Sequence, residues 1–119
     1  MQSYRELIVW QRSIHLVSLV YALTARFPKS ELFGLTSQMR RAAVSVPSNI
    51  AEGFSRKHRP EYIQFLRIAF GSGAELETQL HISTELKFVS EKEKVEVEQC
   101  LSEIMRMLNK LIASLVAKP

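Results

Sequence analysis

Residues 35–53, LTSQMRRAAVSVPSNIAEG, constrain the fold more than any other stretch of the chain. Leu35, Met39, Ala42, Val46 and Ile50 recur with the spacing of one helix face and form an apolar stripe. Gln38, Arg41, Ser45, Asn49 and Glu52 recur with the same period beside it. Pro47 stands mid-pattern, where it removes an amide donor and crowds the carbonyl of Ala43, which predicts a kink. An ordinary amphipathic helix requires neither this proline nor an Asn and a Glu at the edge of its apolar stripe. Packing, assembly or binding has to ask for them.

The whole chain reads as four helices and no strand. A first helix is expected over residues 4–26, opened by a Ser3/Glu6 capping box that ties up free amides. Leu7, Trp10, Ile14, Val17 and Tyr21 are its expected buried stripe, and Pro28 ends it. The second helix is expected over 36–54, with Ser45 and Ser48 available to the backbone groups that Pro47 frees; the turn after it, SRKHR over 55–59, is strongly basic. The third is expected over 60–88, with Pro60 at its first position and Tyr62, Phe65, Leu66, Ala69, Leu76, Leu80 and Ser83 facing inward. Gly71, Ser72 and Gly73 lie in its middle, where a glycine costs about 1 kcal/mol against alanine; close approach of another backbone would explain them. A second capping box, Ser90 with Glu93, opens a fourth helix over 91–116. Val97, Leu101, Ile104, Leu108, Leu111 and Leu115 form its heptad seam, which Cys100, Met107 and Ile112 widen to the breadth of a bundle core. Short connections make neighbouring helices antiparallel. The expectation is therefore an all-α single domain, 1–119, folded as an antiparallel up-down-up-down left-handed four-helix bundle. The connection after the third helix reads ELKFVSEK, without a glycine.

Composition supports helix: all twelve acidic residues are Glu and none is Asp, a residue that prefers caps and turns. One cysteine, Cys100, excludes an internal disulfide or a multi-cysteine metal site and reads as a buried structural thiol. No charge-free apolar run approaches the roughly 18 residues of a membrane span. Residues 1–6 lead straight into an amphipathic helix rather than a signal peptide, so a cytoplasmic protein without membrane contact is expected. The net charge is +4, unevenly spread: residues 1–67 carry ten Lys/Arg against four Glu, and residues 68–119 six against eight. A basic first half fits a nucleic-acid partner.

Catalytic patterns fail one by one. A di-iron bundle needs two Glu-x-x-His pairs, but Arg12, Ser55 and Thr78 precede the three histidines by three residues. The Arg-then-His motif of some helical ribonucleases is absent: no Arg stands four to six residues before any of the three. Without Asp there is no Ser–His–Asp triad, and Gly71 and Gly73 lie inside a helix rather than in a phosphate loop. Glu77, His81 and Glu85 share a helix face, which is more simply a solvated face than a metal site. No enzyme, cofactor or metal is expected.

The segments SQMRRAAVSVPSNIAEG and AFGSGAELETQL, with the opening ELIVWQRSIHLVSLVYALTARFP, resemble the bacterial four-helix-bundle family of 23S rRNA intervening-sequence proteins. The resemblance extends over nearly the whole chain. It implies ring-like pentamers, basic surfaces, nucleic-acid binding and no catalytic activity; a related branch, the accessory variability determinant, assists reverse transcriptases of diversity-generating retroelements.

Two constellations follow. Arg40, Arg41, Arg56, Lys57 and Arg59, with Arg67 one helix onward, are the candidate phosphate-binding residues, for RNA more than DNA, by sequence-blind backbone contact because no aromatic platform accompanies them. Gln38, Ser45, Asn49, Glu52, Ser72, Glu75 and Gln79 are a candidate polar network between helices or subunits, with Arg41 available to pair a Glu. The other reading is a ring-shaped adaptor that docks a protein partner.

Overall fold

The computed structural model describes residues 3–119. Met1 and Gln2, read above as part of the lead into the first helix, lie outside them. Four α-helices make up the fold: α1 (Ile8–Thr24), α2 (Leu35–Ser55), α3 (Arg59–Glu85) and α4 (Glu91–Val116). Short 3-10 turns at Tyr4–Glu6 and Lys29–Glu31 precede α1 and α2, and no described residue lies in a strand. The helices form a four-helix bundle of 49 × 22 × 20 Å. Each packs on two others: α1 and α3 both contact α2 and α4.

The α4 boundaries are as the heptads predict, and the Ser90–Glu93 box is present: Glu93 N donates to Ser90 Oγ at 3.1 Å and Ser90 N to Glu93 Oε1 at 2.8 Å. Val97, Leu101, Ile104 and Leu108 are buried, whereas Leu111 and Leu115 are half-buried as α4 runs to the bundle's end.

The start of the chain departs from expectation. The Ser3–Glu6 box caps the 3-10 turn, not the long helix; Leu7 is extended (ψ 124°) and separates the two. The buried stripe of α1 is Val9, Ser13, Leu16, Val20 and Leu23, rotated from the one expected, and Ile14 and Tyr21 are exposed. The cause is that α1 is apolar around much of its circumference, so periodicity alone does not select a face. Ser13 and Thr24 bury their hydroxyls by donating to Trp10 O and Val20 O of their own helix.

Helix α2 runs unbroken through the buried Pro47. Ser48 donates to Val44 O at 2.8 Å rather than to Ala43 O, and Ser45 is engaged elsewhere, so neither serine takes up the carbonyl that Pro47 frees. The α2–α3 contact is the most extensive between any two helices. Its pairs step forward along α2 and back along α3: Met39 meets Ser83, Ser45 meets Ser72, and Gly53 meets Phe65. A Cβ at Gly53 would lie 2.7 Å from Phe65 Cβ and 3.3 Å from Tyr62 O, so glycine is required for the helices to touch. Gly73 similarly faces α4, where a Cβ would meet Met105 Sδ. Gly71 has nothing within 4 Å of that position, so no packing within the chain requires it.

The turn after α3 keeps the shape a glycine would give. Lys87 takes the left-handed conformation (φ 65°), with Phe88 N bonded to Ser83 O at 2.9 Å and Lys87 N to Thr84 O at 3.0 Å.

Two predictions follow from this packing. Gly53→Ala lowers stability by about 1–3 kcal/mol through overpacking, whereas Gly71→Ala raises the stability of the isolated chain by about 1 kcal/mol; urea unfolding separates the two. The second concerns acid. The Ser90 backbone and hydroxyl, then Arg26, hold the Glu93 carboxyl below its ordinary range. A carboxylate lowered on folding stabilises above its unfolded pKa and loses that contribution as pH falls through its folded one. Glu93→Gln therefore flattens the acid limb of stability, read as urea midpoints from neutral to acid pH.

Candidate nucleic-acid interface

Helix α2 divides the basic residues between two places. Arg41 and Arg56 are separated by almost all of the helix, about 22 Å at roughly 1.5 Å per residue. Arg40 braces the fold: its Nε donates to Thr24 Oγ1 at 2.9 Å and its guanidinium lies 4.5 Å from the Tyr21 ring centroid, tying α2 to α1. Arg41 is exposed and forms no ion pair among the described residues.

The other three cluster at the α2–α3 turn. Arg56 caps α2, Lys57 turns the chain in the left-handed conformation (φ 58°), and the extended His58 precedes α3. The left-handed region strains any residue with a Cβ, so a lysine there raises the question of what its side chain does. Arg56 is already matched: it lies 3.0 Å from Glu52 and 3.6 Å from Glu61, with its guanidinium 5.1 Å from the Phe65 centroid. His58 Nδ1 is 3.1 Å from Glu61, and Arg59 donates to Pro119 O at 3.1 Å. Lys57 reaches over Phe54, its Nζ 5.8 Å from the ring centroid. Among the described residues Lys57, Arg67 and Lys118 form no ion pair.

Two features of this end escaped the sequence reading. The bundle returns Leu115 and Lys118 of the α4 end to the α2–α3 turn, where they line one cleft of about 550 Å³ with Phe54, Lys57 and Tyr62. Phe54 and Tyr62 stack edge to face at 5.9 Å and 89° in its wall, so aromatic rings do accompany the cations. Burial pushes the Tyr62 phenol up.

The polar row resolves into short local links. Ser45 Oγ and Ser72 Oγ are 2.8 Å apart across α2 and α3, and Asn49 Nδ2 donates to Ser45 Oγ at 2.9 Å and Ser45 O at 2.8 Å. Gln79 Nε2 donates to Glu75 at 3.3 Å, leaving the buried Gln79 Oε1 without a partner. Gln38 is exposed and outside these links, and Arg41 pairs no Glu among the described residues. Glu52 and Glu75 lie on opposite sides of the Ser45–Ser72 contact, about 15 Å apart along the helices, too far to form a carboxylate pair.

His81 and Glu85 are 4.0 Å apart and both 72% exposed. No three His, Cys or Glu side chains converge to hold a metal among the described residues. Cys100 is buried between α1 and α4; burial pushes its thiol up, against the opposing effect of Arg12. Among the described residues no helix is long and apolar enough to cross a membrane.

A helical bundle with a Ser/Asn seam on α2 and a basic end defines a class of small all-α proteins rather than one activity. Within that class the chain belongs to the 23S rRNA-intervening sequence protein family, whose model matches residues 5–110. Among solved structures it is similar to a protein of unknown function from the S23 ribosomal protein family of Bacteroides thetaiotaomicron. That likeness has a TM-score of 0.83 and 20% identity, and it covers 89% of this chain and 96% of that one. No curated protein matches.

The strained lysine supplies a prediction. Lys57→Gly relieves the left-handed conformation and raises stability by about 1 kcal/mol, measured by thermal or urea unfolding.

Proposed function

We propose that this chain is a non-enzymatic, self-assembling helical bundle that binds nucleic acid, structured or ribosomal RNA in particular, through the end formed by the α2–α3 turn and the end of α4. The observation that carries this reading is the set of cations without carboxylate partners at that end, Lys57, Arg67 and Lys118, beside Arg59. Unmatched cations on one surface bind phosphates by releasing counterions. The family's description, which names the 23S rRNA intervening sequence, favours RNA over DNA. The bundle is taken to be antiparallel, in keeping with the stepping of α2 against α3, and left-handed. The protein is taken to act in the cytoplasm.

Self-assembly is assigned to the outward face of α3 and the adjoining polar row of α2. Ile68, Gly71, Glu75 and Ile82 follow i, i+3, i+7, i+14 spacing and share that face, and Ile68 and Ile82 are 45% and 41% exposed. Gly71 carries the cost of a mid-helix glycine with nothing among the described residues within 4 Å of where its Cβ would stand, and the buried side-chain oxygen of Gln79, Oε1, on the same helix lacks a partner among them. A second subunit would account for both. In a closed ring, a pentamer by the family's pattern, the basic end repeats around the axis and multiplies weak contacts.

The second reading is an adaptor that docks a protein partner, and it has its own observation. Phe33 is 94% exposed beside Leu32 at 49%, at the mouth of a cleft of about 490 Å³ between α1 and α2. A projecting phenylalanine of this kind suits an apolar partner.

Light-scattering mass with and without ribosomal RNA fragments tests both. The expected result is a ring that gains RNA mass at low salt and loses it at high salt, with log affinity falling by about 0.7–0.9 per phosphate contact per log unit of salt. Gly71→Leu is expected to yield folded subunits of lower mass. A ring that takes up no RNA at low salt overturns the nucleic-acid reading in favour of the adaptor.

A further inference from the structure

The basic end has two chemistries side by side, and a duplex would satisfy only one. Lys57 and Lys118 stand at the cleft and offer positive charge, which any nucleic acid can use. Its wall is aromatic and aliphatic: Phe54 and Tyr62, both half-buried, face Leu115 and Pro60. Phosphate gains nothing from such a wall. The face of a nucleobase does, because every base presents a flat π surface that stacks on aromatic rings. In a duplex those faces are covered by neighbouring base pairs, whereas in a loop, bulge or single strand they are free.

The position of Lys57 points the same way. The turn would form more easily with glycine, yet the chain places a strained lysine there with its ammonium above the Phe54 ring. The side chain covers the ring in the free protein and lies within reach of a strand that enters the cleft. A cation over an aromatic face is also the arrangement that a stacked base with its flanking phosphate would replace.

We infer that the Phe54–Tyr62 cleft receives an unpaired base, so that the protein selects single-stranded or looped nucleic acid over duplex, with Lys57 and Lys118 on the flanking phosphates. This rests on the nucleic-acid reading above and adds the class of strand that is bound. It replaces the expectation of contact with the backbone alone.

The test is fluorescence anisotropy with three labelled probes of equal length: single-stranded oligouridine, an RNA duplex, and an abasic strand that keeps the phosphates. The wild-type protein is expected to prefer the base-bearing single strand to both others. Phe54→Ala weakens that strand roughly tenfold, within the range for loss of one stacked base, and leaves duplex and abasic binding unchanged. Phe54→Trp retains the preference. Phe54→Leu preserves apolar volume without the π face, so it reads the same loss if the alanine variant folds poorly. Lys57→Gly weakens all three probes alike. Equal affinity for the base-bearing and abasic strands, or an unchanged single-strand affinity in both Phe54→Ala and Phe54→Leu, overturns the cleft while leaving phosphate binding in place. No binding of any probe by the wild-type protein overturns the nucleic-acid reading and the cleft with it.

Discussion

The close seating of α2 on α3 is the constraint on which the rest depends. Gly53 leaves no room for a Cβ, so the two helices touch at their junction and the turn between them is held to Arg56, Lys57 and His58. A turn this short cannot relax away from its strain, and Lys57 is left in the left-handed conformation. The same approach places Phe54 edge to face on Tyr62 and lets Ser45 meet Ser72 in mid-bundle. Overpacking at one glycine would therefore be transmitted to both the cleft and the polar seam, because close-packed interiors pass strain on rather than absorb it.

What could be read from the sequence depended on how far apart the cooperating residues lie along the chain. Helix α4 was legible to its boundaries because its cap and its heptads are local. The face of α1 was not, because Leu7, Trp10, Val17 and Leu19 pack on the core's edge while Val9, Leu16 and Val20 enter it, and all are apolar. Helix α2 was legible through Pro47 as well, because the apolar stripe keeps its spacing on both sides of the proline and the helix runs on through it. At the candidate site, the basic turn was visible as SRKHR, but Lys118 comes from some sixty residues away and joins it only through the return of α4. Tyr62 read as an inward-facing residue of the third helix and residue 54 only as the end of the second, until the turn set the two rings against each other. The apparent single cluster from Arg40 to Arg59 was an effect of chain proximity, since a helix carries its two ends far apart.

The two left-handed lysines show why backbone strain alone does not mark a site. Lys87 closes α3 at φ 65°, in a turn where the carbonyls of Ser83 and Thr84 are satisfied by backbone amides. Among the described residues it forms no ion pair or ring contact, so any residue that tolerates the conformation would serve. Lys57 has a comparable φ but lies over an aromatic ring at the edge of a cleft that a second lysine also lines. The difference between them lies in the surroundings.

The division of labour among the cations bears on what such a surface can read. Most arginines are held in the fold: Arg12 on Glu103, Arg26 on Glu93, Arg40 on Thr24, Arg56 on Glu52 and Glu61, and Arg59 on the backbone at Pro119. A guanidinium reads a guanine by two parallel hydrogen bonds, and an arginine whose nitrogens are already engaged within the fold is poorly placed to do so. The cations left at the cleft itself are Lys57 and Lys118, point charges that follow a phosphate without fixing which base is beside it. Aromatic stacking is similarly tolerant, because all bases have a π face. Charge from lysine and stacking from phenylalanine and tyrosine therefore favour discrimination by the exposure of a base rather than by its identity. That form of selectivity suits loops and bulges of a folded RNA, where unpaired bases are sparse and their positions are set by the RNA's own structure.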